Sequence, residues 1–184
     1  MMGAAAMLGV VQMLVSQIAA FLAALLLASG LHKLARREHL RSVVHEFARV
    51  PRVLAPAAVV GIAALELAAG ALLWMPAFRA TGAALAVLIW GGYLMLILRA
   101  IALGRRDVDC GCTFGAAQRP LGAYQVVRNL SLIGLVMLVA VGSISSDSGP
   151  VIGSQILAAF ALLALYGALD QVMALTPLRR GELL

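Results

Sequence analysis

Five long apolar stretches, separated by polar connections, set the pattern of this chain. The first runs from Val10 to Leu31 and is broken only by Gln12, Ser16, Gln17 and Ser29. The second, Val53 to Trp74, contains Glu66, and the third, Ala80 to Leu103, contains Arg99 near its end. The fourth, Leu121 to Ser143, contains Arg128 and Asn129; the fifth, Val151 to Leu175, contains Gln155 and Asp170. Crossing a bilayer takes about 20 mostly apolar residues, and each stretch meets that length. The runs are too long for barrel strands and do not alternate as such strands must. The pattern predicts an all-α fold: a polytopic membrane helix bundle of five transmembrane helices, in a single integral membrane domain over residues 1–184. The first stretch lacks a basic leader and is followed by Lys33, Arg36 and Arg37 as a stop-transfer flank, so it is expected to stay in the membrane.

The longest polar connection, HKLARREHLRSVVHEFARVPR from His32 to Arg52, has a pattern of its own. Leu34, Leu40, Val43, Val44 and Phe47 recur at helical spacing, and basic residues fill much of the remainder. This predicts one basic amphipathic helix lying in the headgroup region. Pro51 is expected to end it, and Pro56 falls in the first turn of the second span, where a proline costs little.

Composition agrees with lipid as the solvent. Hydrophobic residues make up 63% of the 184 and charged residues 12%, against about 25% in a soluble domain. Eighteen glycines and many alanines suit close helix approach in a bilayer. The net charge of +6 is distributed unevenly and points to loops at a membrane face rather than to nucleic acid. Lys33, Arg36, Arg37, Arg41, Arg49 and Arg52 follow span one; Arg105, Arg106 and Arg119 follow span three; Arg179 and Arg180 follow span five. The other side holds Arg79. The positive-inside rule then places the amino terminus outside and the carboxy terminus in the cytoplasm of a cell (inner) membrane, with the connection after span three also cytoplasmic.

That connection holds the chain's two cysteines, Cys110 and Cys112, separated by Gly111. Two thiols are too few for a disulfide framework or, alone, for a zinc site. Residues two apart can just reach disulfide geometry, and a glycine between them eases the closure. A bridge so strained opens readily, which suits exchange and makes a poor staple. Arg105, Arg106 and Arg119 favour the thiolate while Asp107 and Asp109 oppose it. His32, His39 and His45 lie on the same expected side, but no compact Cys/His spacing supports a metal, and none is expected.

Ionisable residues inside spans are functional candidates because burying them is costly. Glu66 lies about 20 Å into span two and must be paired or protonated. Arg128 lies about 10 Å into span four, and an Arg128–Glu66 pair is the preferred arrangement, in a redox or a purely structural role. Lys33, at the end of span one, reads as a snorkelling anchor, with the dithiol as its alternative target. Asn129 suits an interhelical hydrogen bond, Arg99 and Asp170 read as end-of-span residues, Trp74 as an interfacial residue, and Trp90 and Tyr93 as packing.

The runs SGLHKL (29–34), LELAAGALL (65–73), DCGCTFG (109–115) and VVRNLSLIGL (126–135) together resemble the MauE family, which sits with the DoxX-like membrane proteins. The resemblance spans Ser29 to Leu135, with one departure: Thr113 stands between Cys112 and Phe114, where the family has Phe directly after the second cysteine. It implies a part in methylamine metabolism, in maturing a secreted, disulfide-rich dehydrogenase subunit beside a membrane-tethered, thioredoxin-like partner. The positions it implies are Lys33, Glu66, Cys110, Cys112, Phe114, Gly115, Arg128 and Asn129. The expected function is a membrane thiol-disulfide redox protein, with Cys110 and Cys112 exchanging electrons with a thioredoxin-fold protein in support of an exported, disulfide-containing client. Two alternatives stand beside it: a noncatalytic scaffold for a redox or transport complex, and a quinone-coupled disulfide oxidoreductase with Glu66 and Arg128 near the quinone.

Overall fold

The computed structural model describes residues 2–104, 122–142 and 152–175. Six α-helices follow in order: α1 (Met2–Ala35), α2 (Arg37–Ala48), α3 (Ala55–Trp74), α4 (Arg79–Ala102), α5 (Ala123–Gly142) and α6 (Ile152–Leu175). A 3₁₀ turn, Pro76–Phe78, joins α3 to α4, and no strand occurs among the described residues. Five of the helices, all but α2, are long and apolar enough to cross a membrane. The all-α, five-span architecture legible in the hydropathy pattern is therefore what the chain forms.

Two boundaries differ from the sequence reading. Helix α1 runs through His32 and Lys33 to Ala35, so the start of the polar connection belongs to the first span. Helix α2 is correspondingly shorter and keeps Leu40 buried while Arg37, Glu38 and His39 are exposed. It packs on α3. Its end comes at Ala48, before Pro51, where Arg49 takes a left-handed conformation (φ 57°) in place of the usual glycine. The His45 imidazole bridges this turn, with Nδ1 donating to the Val50 carbonyl at 2.8 Å.

Small residues determine how closely α1 and α3 meet. A Cβ on Gly30 would lie 3.0 Å from the Ala63 carbonyl oxygen and 2.9 Å from Leu67 Cγ. A Cβ on Gly70 would lie 2.9 Å from both the Ala23 carbonyl oxygen and Leu27 Cγ. These paired contacts run in opposite order along the two helices, so α1 and α3 are antiparallel and nearly touch backbone to backbone. In lipid, where apolar contact alone gives little drive to associate, such close packing holds helices together.

On α3 the buried stripe reads Val59, Ala63, Glu66, Gly70, Leu73, with alternating spacings of four and three. Glu66 thus occupies an inward position on the same face as the small residues. On α1 the facing stripe reads Val15, Ala19, Leu22, Leu26, Gly30 and Lys33. The core around them is completed by Ala83, Ala86 and Trp90 of α4 and by Leu132, Val136 and Val139 of α5. The carboxy-terminal ends of α1, α4 and α6 and the amino-terminal ends of α3 and α5 lie at one end of the bundle, as the contacts of Gly30, Tyr93 and Arg128 require.

Candidate functional site

Four charged groups are buried among the described residues, all in that same half of the bundle: Lys33, Glu66, Arg128 and Asp170. They form two ion pairs. Lys33 Nζ lies 2.9 Å from Glu66 Oε1 and 3.0 Å from Oε2. Arg128 Nη1 lies 3.6 Å from Asp170 Oδ1.

This corrects the expected pairing of Arg128 with Glu66, and the reason lies in helix geometry. Side chains on an α-helix lean toward its amino terminus. Lys33, near the carboxy-terminal end of α1, leans back into the bundle. Glu66, about 17 Å along α3, leans out toward the same level. Arg128, in the second turn of α5, leans away from the bundle centre and meets Asp170 of α6. Lys33 is thus no snorkelling anchor: it is 8% exposed and turned inward. Asp170 does stand near the end of its span, and it is in addition the partner of Arg128.

The Lys33–Glu66 pair is enclosed by hydroxyls from two helices. Lys33 Nζ also donates to Ser29 Oγ at 2.7 Å, one turn back on α1. Its three N–H groups therefore have three acceptor atoms, the full capacity of an ammonium. Ser29 Oγ donates onward to Glu66 Oε1 at 3.1 Å, and the Tyr93 hydroxyl of α4 donates to the same oxygen at 2.6 Å. The ammonium also sits 5.4 Å from the centre of the Tyr93 ring, within cation–π range. An ion pair in lipid is tolerable only when its remaining hydrogen-bonding capacity is met, and here α1, α3 and α4 meet it together.

The second pair is held by α5 and α6. The Tyr124 hydroxyl donates to Asp170 Oδ1 at 3.2 Å. Asn129 Nδ2 donates to the Gln125 carbonyl at 2.9 Å, a bond within α5 rather than the interhelical one expected for it. Gln125, itself buried, accepts from the Gly122 amide at the start of α5. Between the two pairs lies a small, partly open cavity of about 30 Å³, whose lining includes Ser29, Tyr93, Arg128, Asn129 and Tyr166 beside four apolar residues.

Of the residues singled out from sequence, Lys33, Glu66, Arg128 and Asn129 share one end of the bundle. Arg99 is exposed at the end of α4, Trp74 is partly exposed at the end of α3, and Trp90 is buried. Cys110, Cys112, Phe114 and Gly115 lie outside the described residues. They belong to the connection between α4 and α5, the helices that carry Tyr93 and Arg128. The site residues missed in the sequence were Ser29, Tyr93 and Asp170. Ser29 stands one turn before Lys33, Tyr93 is a polar-tipped residue deep in a span, and Asp170 is a carboxylate within an apolar run.

Comparison with known proteins agrees with this architecture. The chain is 32% identical over 124 residues to the methylamine utilization protein MauE of Paracoccus denitrificans, an alignment covering 66% of each chain. It thus spans just under two thirds of that relative's length. No solved structure matches the chain. The family model for methylamine utilisation protein MauE matches residues 11–142, from α1 to the end of α5, and so takes in both cysteines together with Lys33, Glu66, Tyr93 and Arg128. With more than half of its length matched, this chain belongs to the MauE family.

Proposed function

We propose that this protein is a membrane thiol-disulfide redox protein in which Cys110 and Cys112 relay electrons to or from a thioredoxin-fold partner. The relay would serve disulfide formation or maturation in an exported client, and the name of the Paracoccus relative makes a protein of methylamine utilisation, such as methylamine dehydrogenase, the first client to test. The observation that carries the reading is the sequence Cys110-Gly111-Cys112, which holds the chain's only two cysteines, in the connection between α4 and α5, the two helices that bring Tyr93 and Arg128 to the buried carboxylates.

Each exchange balances between the pair and one partner, and a second dithiol or disulfide returns the pair to its starting state. A thiolate of the pair attacks the partner's disulfide, a mixed disulfide forms, and the partner's other sulfur leaves as a thiolate. The second cysteine then attacks the mixed disulfide. A Cys110–Cys112 bridge forms, and the partner leaves as a dithiol carrying two electrons. The reverse sequence oxidises the partner. The strain of so short a bridge would make it the more oxidising of the two and favour the direction that oxidises the partner.

The charge distribution supports a cytoplasmic position for this end of the bundle, in a cell (inner) membrane with the amino terminus outside. Arg36, Arg37, Arg41, Arg49 and Arg52 lie between α1 and α3 at this end, against Arg79 between α3 and α4 at the other. The scaffold reading draws support from the Lys33–Glu66 pair, whose ammonium is fully bonded and therefore suited to holding helices together. The quinone reading draws none from the cavity beside Arg128: its volume of about 30 Å³ is far below the roughly 150 Å³ that admits benzene.

Trapping separates relay from scaffold. Cys110→Ser and Cys112→Ser variants, each expressed in cells and quenched with acid, are analysed for mixed disulfides. A relay predicts that one of the two accumulates a covalent adduct with a thioredoxin-fold protein, cleaved by reductant. Absence of an adduct from both variants, with both thiols of the unmodified protein reduced throughout growth, would favour the scaffold.

A further inference from the structure

The cavity between the two ion pairs has a composition unlike the rest of the core. Most of the buried interior is Ala, Leu and Val. The lining of this cavity instead includes Ser29, Tyr93, Arg128, Asn129 and Tyr166, from four helices, beside four apolar side chains. Ser29 and Tyr93 are the two hydroxyls that donate to Glu66 Oε1. Arg128 is the cation paired with Asp170.

Size and polarity together define the occupant. A buried water needs about 10–15 Å³ of such space and two to four polar partners, whereas apolar cavities stay dry. A volume of about 30 Å³ gives room for about two waters. A hydroxyl that donates to a carboxylate still offers a lone pair to a water hydrogen, and a guanidinium carries five N–H groups. A lipid chain would desolvate Arg128 and Asn129 with nothing in return.

We propose that this cavity is an intramembrane hydration site, in which about two water molecules join the Tyr93 hydroxyl on Glu66 to the Arg128 guanidinium on Asp170. The waters make one polar network of the two ion pairs, running through α1, α3, α4, α5 and α6. The site stands on the cavity and its lining, and it holds whether or not the cysteines exchange electrons.

Radiolytic hydroxyl labelling of the full chain in lipid nanodiscs, in water enriched in oxygen-18, tests it. Radicals form from water beside a side chain, so bound water marks its neighbours. Tyr93 and Tyr166 are expected to take up label about fivefold or more faster than Phe160, which is 69% exposed on the outer face of α6 and surrounded by lipid. Leu132, on the cavity wall, supplies the control. Leu132→Phe should fill the space and cut labelling of Tyr93 by about threefold or more. If that variant does not fold, Leu25→Phe, on the α1 side of the lining, serves in its place. Labelling of Tyr93 at the rate of Phe160 in the unmodified protein would overturn the proposal without recourse to any variant. Equal labelling of Tyr93 before and after filling would overturn it too, because the label would then come from outside the cavity.

Discussion

Lys33 and Glu66, 33 residues apart in sequence, meet at 2.9 Å in the interior of the bundle and tie the end of α1 to the middle of α3. Breaking one side of a buried pair typically costs about 3–5 kcal/mol, because the other charge is stranded. Glu66→Gln and Lys33→Met are therefore each expected to lose about 3 kcal/mol of stability, while the double variant Lys33→Met/Glu66→Leu recovers most of it. Unfolding of the purified variants in nanodiscs measures this. The same cycle run on Arg128 and Glu66 should give a much smaller coupling, since Arg128 pairs with Asp170.

Tyr93 contributes one hydroxyl to this pair. Tyr93→Phe keeps the ring near the ammonium and removes only the bond to Glu66 Oε1. Hydrogen bonds to charged groups are worth about 1.5–3 kcal/mol, so a loss of that size is expected. Tyr93→Phe in a background already carrying Glu66→Leu should cost far less, and equal losses in both backgrounds would contradict the geometry.

The approach of α1 to α3 gives a separate prediction. A methyl group on Gly70 meets the Ala23 carbonyl, which is backbone and cannot swing aside. Gly70→Ala should cost about 1–3 kcal/mol through overpacking, and Gly61→Ala, where nothing lies within 4 Å, should be neutral or slightly stabilising. Thermal unfolding of the two variants side by side tests this.

Sidedness is testable on the native cysteines. If the arginine-rich end faces the cytoplasm, an impermeant maleimide should not reach Cys110 or Cys112 in intact cells, and should modify them once the membrane is opened. Modification in intact cells after reduction would invert the topology.

The spans were readable because lipid tolerates few polar residues in a row, so hydropathy alone fixes where helices cross. Depth was readable for the same reason: Glu66 and Arg128 fall well inside their spans. What hydropathy does not carry is the direction in which each side chain leaves its helix and which helices are neighbours. Reading Lys33 as an anchor followed from its place near a helix end. The same place, at a carboxy-terminal end, turns it inward. Nothing in the sequence joins Arg128 to Asp170, because the side-chain contact of α5 with α6 leaves no trace in either segment alone. The cysteine motif rests on residue identity alone, through its spacing and the family resemblance, and lies outside the described residues.

The most direct measurement replaces Cys110 and Cys112 together with serine and follows the disulfide state of the exported client in cells. The relay account predicts that the membrane protein still folds and inserts while the client accumulates with unpaired or mispaired cysteines and low activity. A client that matures fully beside the doubly substituted protein would contradict it.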